Sequence, residues 1–338
     1  MNTHRFNRTA VGAGLALTFA LVLTLLFANA SLASGNGQAR WAAIGHDGIT
    51  PNDVARADDN YVVSFSKPGS VGPNCEDFNT DVHYGTGDAL FYVPQSVPPC
   101  WVSWFNATNS GLRANVDINA LHDECGPTDN FCDIYLSFKS RTRVPGVGMV
   151  EPQDVVIAEW VVGTLDTYTN WQLDFDGSDV GLTGNSEKID GLYVFDPGEE
   201  PAELGCATLG LVSTAGNFRV PDQWGGVIWG GGEDVLGFCG SSFGPDTAGY
   251  WFLYHDGSAE GMPRNALIGL THEDGRKAYS RFEFLTKGPF HVDTANGGSS
   301  EVFNFFGQTG MYGGPTFNFA TQAGTTGKVD SFTVHHTE

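Results

Sequence analysis

Trp171-Gln-Leu-Asp-Phe-Asp176-Gly-Ser-Asp-Val-Gly181-Leu182 recurs along the chain with variations. An aromatic residue is followed five residues later by a polar side chain and ten residues later by a glycine. Trp251, Asp256 and Gly261 repeat the phrase, Trp101, Asn106 and Gly111 repeat it again, and Phe317, Gln322 and Gly327 form a worn copy. Self-similarity at a regular spacing is the mark of a repeat architecture. A residue that returns in every copy is more often there to pack than to react.

Between these phrases lie short alternating runs bounded by Gly, Asp, Asn and Pro, and no dozen residues keep a 3.6-residue period. That pattern is all-β. The second repeat is the clearest, with runs at Asp133 to Phe138, Asp154 to Ala158, Trp171 to Asp176 and Ile189 to Val194. The fourth run of a repeat joins the first run of the next through tight polar turns, Phe195-Asp-Pro-Gly-Glu-Glu200 and His272-Glu-Asp-Gly-Arg276, which is hairpin chemistry. The connection from the third run to the fourth is longer. Each sheet is therefore expected to begin with the fourth run of one repeat and to take in three runs of the next, with the Asp-Gly-Ser segment as the link between sheets.

The repeats span about 61–130, 131–205, 206–277 and 278–338. A partial copy at 41–58 contains Trp41-Ala-Ala-Ile-Gly-His-Asp47-Gly and a run from Pro51 to Ala57 that resembles a fourth strand. Four-stranded sheets in series imply radial packing, which leaves only short, protected edges. The expectation is one all-β domain over 34–338, a β-propeller-like array of four to five four-stranded sheets. Two tandem β-sandwiches are the alternative. The runs Asp133 to Phe138, Trp171 to Leu182 and Ile189-Asp-Gly-Leu192 resemble repeats of poorly characterised bacterial secreted proteins, from about Trp41 to the C-terminus. The resemblance implies an exported propeller-like β fold. The fourth copy departs from it, lacking the Trp and the Asp-Gly pair.

Arg5 and Arg8 precede an apolar stretch from Val11 to Phe27, and small residues follow at Ala28-Asn-Ala30 and Ser31-Leu-Ala33. Residues 1–33 read as a secretory signal peptide, with a retained anchor helix as the rival. Cleavage would take two of 17 basic and none of 39 acidic residues, moving the formal charge from −22 to −24. The mature protein is then expected to be secreted, periplasmic or extracellular, with no membrane span. Its acidity repels phosphate backbones, so nucleic acid is not an expected partner. Six cysteines in an exported chain point to disulfides. Cys125 and Cys132 flank one turn, Cys206 and Cys239 face each other across a hairpin, and Cys75 and Cys100 remain to pair.

The sequence places its architecture better than its chemistry. Asp176, Ser178 and Asp179, with Asp256 and Ser258, offer oxygen donors of the kind calcium takes. The other reading of these loops is an Asp-Gly turn whose carboxylate caps backbone amides. Asn106 and Gln322 at the matching positions bring no charge and favour the turn. His255 aligns with Phe105 and Phe175, which reads as a packing position. His83, His122, His272 and His291 are scattered. No Gly-x-Ser-x-Gly elbow, His-Glu-x-x-His pair or Walker loop occurs.

One loop breaks the pattern: Pro221-Asp-Gln-Trp224-Gly-Gly-Val-Ile-Trp229-Gly-Gly-Gly-Glu233. No counterpart is evident in the other repeats. Two Trp in a glycine-rich loop are hard to bury together, and exposed aromatics mark binding sites. A loop folded back over a sheet edge is the competing reading. The leading expectation is a secreted, non-enzymatic protein that binds a glycan, a cell surface or a matrix component through Trp224 and Trp229. The alternatives are a calcium-assisted propeller hydrolase of lactonase or phosphoesterase type, and a structural part of a surface layer or biofilm.

Overall fold

A computed structural model describes residues 60–125, 132–162, 164, 166–195, 206, 209–264, 267–272, 282–292, 295–306, 311–325 and 327–335. The proposed signal peptide and the partial copy at 41–58 lie outside these residues. Four small antiparallel sheets form a four-bladed β-propeller, and no α-helix occurs among the described residues.

From the innermost strand outward, blade 1 contains Val329–His335, Asn60–Phe65, Ala89–Val93 and Cys100–Phe105. Blade 2 contains Ile118–Cys125, Cys132–Phe138, Val155–Trp160 and Tyr168–Phe175. Blade 3 contains Ile189–Val194, Leu209–Thr214, Val235–Ser242 and Ala248–His255. Blade 4 contains Leu267–His272, Phe282–Thr286, Glu301–Phe306 and Met311–Tyr312, and Phe317–Asn318 also pairs with its third strand. Each innermost strand packs against the next, and the last returns to the first. The sheets are phased as expected, each beginning with the fourth run of one repeat.

The ring closes through the chain's C-terminal strand. Val329–His335 pairs antiparallel with Asn60–Phe65, from Asn60 opposite His335 to Phe65 opposite Val329. That strand fills the innermost place of blade 1, beside Asn60–Phe65. The hydroxyls of Ser64 and Ser331 meet across this seam at 2.7 Å.

The core is divided among the four gaps between blades. Val62, Phe105, Leu121, Phe138 and Trp171 fill one of them. Val155, Phe175, Val212, Phe238 and Trp251 fill the next. Phe284, Phe290 and Phe303 pack between blades 3 and 4, and Tyr61, Trp101, Phe317 and Phe332 between blades 4 and 1. Both faces of each blade are thus covered, which explains near-continuous apolar runs in the second strands.

The repeated phrase joins blades. Trp101, Trp171 and Trp251 are buried on the outermost strands. Each indole Nε1 donates to a carbonyl in the crossing segment that leaves the preceding blade: Ala323 at 3.3 Å, Ser110 at 3.0 Å and Val180 at 2.8 Å. In the crossing, Leu112, Leu182 and Met262 donate back to Ala107, Gly177 and Gly257, each at 2.8 Å. The glycine before each donor has φ of +82°, +100° and +86°, a conformation that a side chain makes costly.

The fourth copy is aligned differently from the sequence expectation. Asn318 Oδ1 accepts the Thr321 amide at 3.0 Å, and Thr325 donates to Phe319 O at 3.1 Å. Gly324 has φ +68°. The cap and the turn glycine are therefore Asn318 and Gly324, not Gln322 and Gly327, because Phe317 fills the place of Phe105 rather than that of Trp101 and the crossing after it is one residue longer. Phe317 lies opposite Val302 as Phe105 lies opposite Ala89, and Tyr312 takes the Trp place, opposite Phe305.

A second repeated device escaped the sequence reading. Asp88, Asp154 and Asp234 immediately precede a third strand and Glu301 opens one, and each accepts the amide of the residue three positions earlier. The other oxygen of the three aspartates takes an amide of the crossing segment: Ala107, Gly177 and Ser258. One carboxylate thus fastens the blade to its own exit.

Cys75–Cys100 and Cys206–Cys239 are disulfides. Cys132 is also disulfide-bonded, and Cys125 is its partner in strand register.

Candidate functional site

Every blade carries a small two-stranded hairpin between its second and third strands. The pairs are Gly69–Val71 with Val82–Tyr84, Thr142–Val144 with Gly148–Val150, Phe218–Pro221 with Val227–Gly230, and Phe290–Val292 with Ala295–Gly297. The loop with the two Trp is the blade 3 member of this set, which corrects the expectation that it has no counterpart. Strands of three or four residues are too short to show a period, so the equivalence is invisible in sequence.

Strand alternation gives the hairpin two unlike faces. Phe218 and Val220 are buried, and Ile228 packs beside them on the core between blades 2 and 3. Arg219, Pro221, Val227 and Trp229 point the other way. Trp229 is 79% exposed and Trp224, at the tip, 83%. The hairpin does fold back over a sheet edge, through a bridge between Asp222 and Trp251. Both indoles nevertheless remain outside, so the two readings of the loop are compatible.

The tip is held rather than loose. Asp222 Oδ1 accepts the amides of Trp224 at 2.8 Å and Gly226 at 2.6 Å, and Gly225 turns the chain at φ +78°. Gly181 lies underneath, where a Cβ would come within 2.8 Å of Pro221 Cδ. Asp234 anchors the base through Gly231 and Ser258, and burial pushes its carboxyl up to about 6 against those two hydrogen bonds.

The hairpins of blades 2 and 3 are joined by the crossing between them. Lys188 Nζ donates to Lys139 O at 3.0 Å, at the foot of the blade 2 hairpin. Ser186 Oγ donates to Asn217 O at 2.6 Å, and Glu187 Oε1 accepts the Arg219 amide at 3.0 Å, both in the blade 3 hairpin. Arg143 and Met149 form a cross-strand pair on the outer face of one hairpin, and Arg219 and Trp229 form the corresponding pair on the other.

The candidate calcium loops spend their carboxylates locally. Asp176 Oδ1 accepts the Ser178 amide and hydroxyl at 3.0 and 2.6 Å. Asp256 Oδ1 accepts the Ser258 hydroxyl and Ala259 amide, both at 2.8 Å. Asp179 Oδ2 turns to the Thr247 amide of blade 3 at 3.1 Å. The geometry is that of capped turns. Among the described residues no group of three or more His, Cys, Asp or Glu side chains is placed to hold a metal ion.

Where the innermost strands begin, lysines neutralise the carboxylates. Lys139 bridges Asp117 at 3.2 Å and Asp330 at 3.3 Å, and Lys287 meets the buried Asp190 at 2.6 Å. Burial raises the Asp190 carboxyl, opposed by Lys287. Of the scattered histidines, His122 and His272 come to the same ring, with centroids 4.7 and 5.8 Å from Tyr193. His255 is buried among Phe282, Phe305 and Tyr312, its Nε2 2.9 Å from the Tyr312 hydroxyl. Desolvation lowers its pKa to about 3, so it is neutral and serves as a packing ring.

No helix among the described residues is long and apolar enough to cross a membrane. The chain matches no protein-family model and no curated protein.

Proposed function

We propose that this is an exported, non-enzymatic binding protein that recognises a glycan of a cell surface or matrix through the blade 3 hairpin. The observation that carries the reading is the pair Trp224 and Trp229, 83% and 79% exposed on a hairpin whose opposite face is buried. Leaving two indoles in water forgoes the burial that large aromatics ordinarily contribute. A platform held by Asp222 and Gly225 keeps them outside, and flat aromatic faces beside polar groups suit the apolar faces of sugar rings. Arg5 and Arg8 ahead of an apolar stretch, together with the disulfides, support export.

The test is retention of the full chain on insoluble polysaccharides, with calcium and then with EDTA. Retention is expected in both buffers and is expected to disappear in the Trp224→Ala, Trp229→Ala double variant. Failure to bind any of the polymers would overturn the glycan reading.

A further inference from the structure

Resting on that reading, a second observation concerns the chemistry of the ligand. The chain has 39 acidic and only 17 basic residues, yet its described cations are not scattered. Every lysine and arginine among the described residues lies in a second-to-third-strand connection or in a crossing between blades. Half of the ten, Lys139, Arg141, Arg143, Lys188 and Arg219, lie on the connections that carry the blade 2 and blade 3 hairpins or on the crossing between them.

Several of these cations are committed inward. Lys139 and Lys287 neutralise Asp117, Asp330 and Asp190, and Arg141 pairs with Glu151 at 2.8 Å. Arg143 and Arg219 are different. Both are exposed, both stand on the outer face of a hairpin, and neither guanidinium is engaged by a hydrogen bond or ion pair among the described residues. Each is the cross-strand partner of an exposed apolar side chain, Met149 or Trp229. The hairpins are contiguous through the 183–188 crossing, and the nearby Asp222 and Glu187 carboxylates accept backbone amides.

We infer that the face formed by the blade 2 and blade 3 hairpins takes an acidic polysaccharide, with Trp224 and Trp229 against sugar rings and Arg143 and Arg219 on carboxylates of the same polymer. A guanidinium matches a carboxylate in a two-point, planar contact, and an adjacent apolar surface makes that contact drier and stronger. The acidity of the whole chain does not oppose this. At physiological ionic strength charges farther than about 8 Å away are largely screened, so the cations in contact decide. A polymer, rather than a single sugar, is required to reach both hairpins.

The experiment measures binding of the full, disulfide-intact chain to polygalacturonate, alginate and hyaluronate, each in its acid form and after reduction of its carboxyl groups to alcohols. At least one acid form is expected to bind about tenfold more tightly than its reduced form, which is about 1.4 kcal/mol shared between two exposed charge pairs. That preference is expected to vanish in the Arg143→Gln, Arg219→Gln double variant and in high salt, with the residual binding intact. Equal binding of acid and reduced forms would overturn the inference and leave the glycan reading standing. Acid-form preference that survives in the double Arg variant would also overturn it. Undiminished binding by the Trp224→Ala, Trp229→Ala variant would instead remove the platform and the reading beneath it.

Discussion

The indole Nε1 of Trp251 in blade 3 donates to the carbonyl of Val180, in the segment that has just left blade 2, at 2.8 Å. The bond is buried and has counterparts at Trp171 with Ser110 and at Trp101 with Ala323. Trp251→Phe would keep a ring but strand the Val180 carbonyl and open a small void. A loss of about 2–4 kcal/mol is expected, the penalty for an orphaned buried acceptor plus a cavity. Trp224→Ala or Trp229→Ala should stay within about 0.5 kcal/mol of the wild type, as exposed positions do. Urea unfolding curves of the three variants check the contrast.

Two glycines of the repeated phrase separate backbone conformation from packing. Gly261 has φ +86° with nothing near its missing side chain, whereas Gly181 has φ +100° and also lies against Pro221 of the Trp hairpin. Gly261→Ala should cost about 1–2 kcal/mol, the strain of a left-handed residue alone. Gly181→Ala should cost more and shift the hairpin, so that it alone weakens saccharide binding. Thermal unfolding and a binding isotherm on each variant distinguish the two.

Stability should fall as pH rises from about 4 to about 6. Burial lifts Asp154, Asp174 and Asp234 to about 6 in the folded protein, above the ordinary aspartate range. The folded state then holds protons that the unfolded state has released; buried His255 acts in the opposite sense, but three carboxylates outweigh one imidazole, and stability decreases with pH across that window. Asp174→Asn should flatten the slope and raise the melting temperature at pH 7, since Glu124 and burial both disfavour its charge. Melting temperature measured at half-unit steps from pH 4 to 7 is the check, and a curve rising through this range would contradict it.

Breaking the Lys287–Asp190 pair should be costly. Asp190 is only 1% exposed, and Lys287→Ala would leave its charge buried without a counter-ion. About 3 kcal/mol is expected, the lower end for a buried pair, because the lysine itself keeps contact with water. Lys287→Ala combined with Asp190→Asn should recover part of the loss. Denaturant unfolding of the single and double variants measures it.

The blades could be phased from sequence because turn chemistry is local. Phe195 to Glu200 and His272 to Arg276 carry hairpin chemistry in their residue types alone, and the strands on either side of them pair antiparallel. In the last repeat a fixed count from Phe317 lands on Gln322 and Gly327, because Phe317 fills the Phe105 place and an extra residue follows between Asn318 and Thr325. The fastening carboxylates Asp88, Asp154, Asp234 and Glu301 were hidden for a different reason. In a chain with 39 acidic residues, one more Asp before a strand carries no signal until its two oxygens are seen on separate amides. For the candidate site, the sequence showed two unusual Trp but not the hairpin that supports them. Nor could it show that Arg143 and Arg219 occupy matching places on successive blades.

Blade 1 is assembled from both ends of the chain, and this has a consequence in time. Ser64 and Ser331 meet across its seam but are separated by 267 residues. At about 5–20 residues per second of synthesis, roughly 15–50 s pass between the appearance of the first partner and the second. Throughout that interval Asn60–Phe65 has an unpaired edge, the kind of surface on which strands of other chains can add. Three blades can form in order as the chain lengthens, but the first to begin is the last to finish. A polypeptide built this way gains from being held extended until its final residues are present, and crossing a membrane before folding would provide that delay.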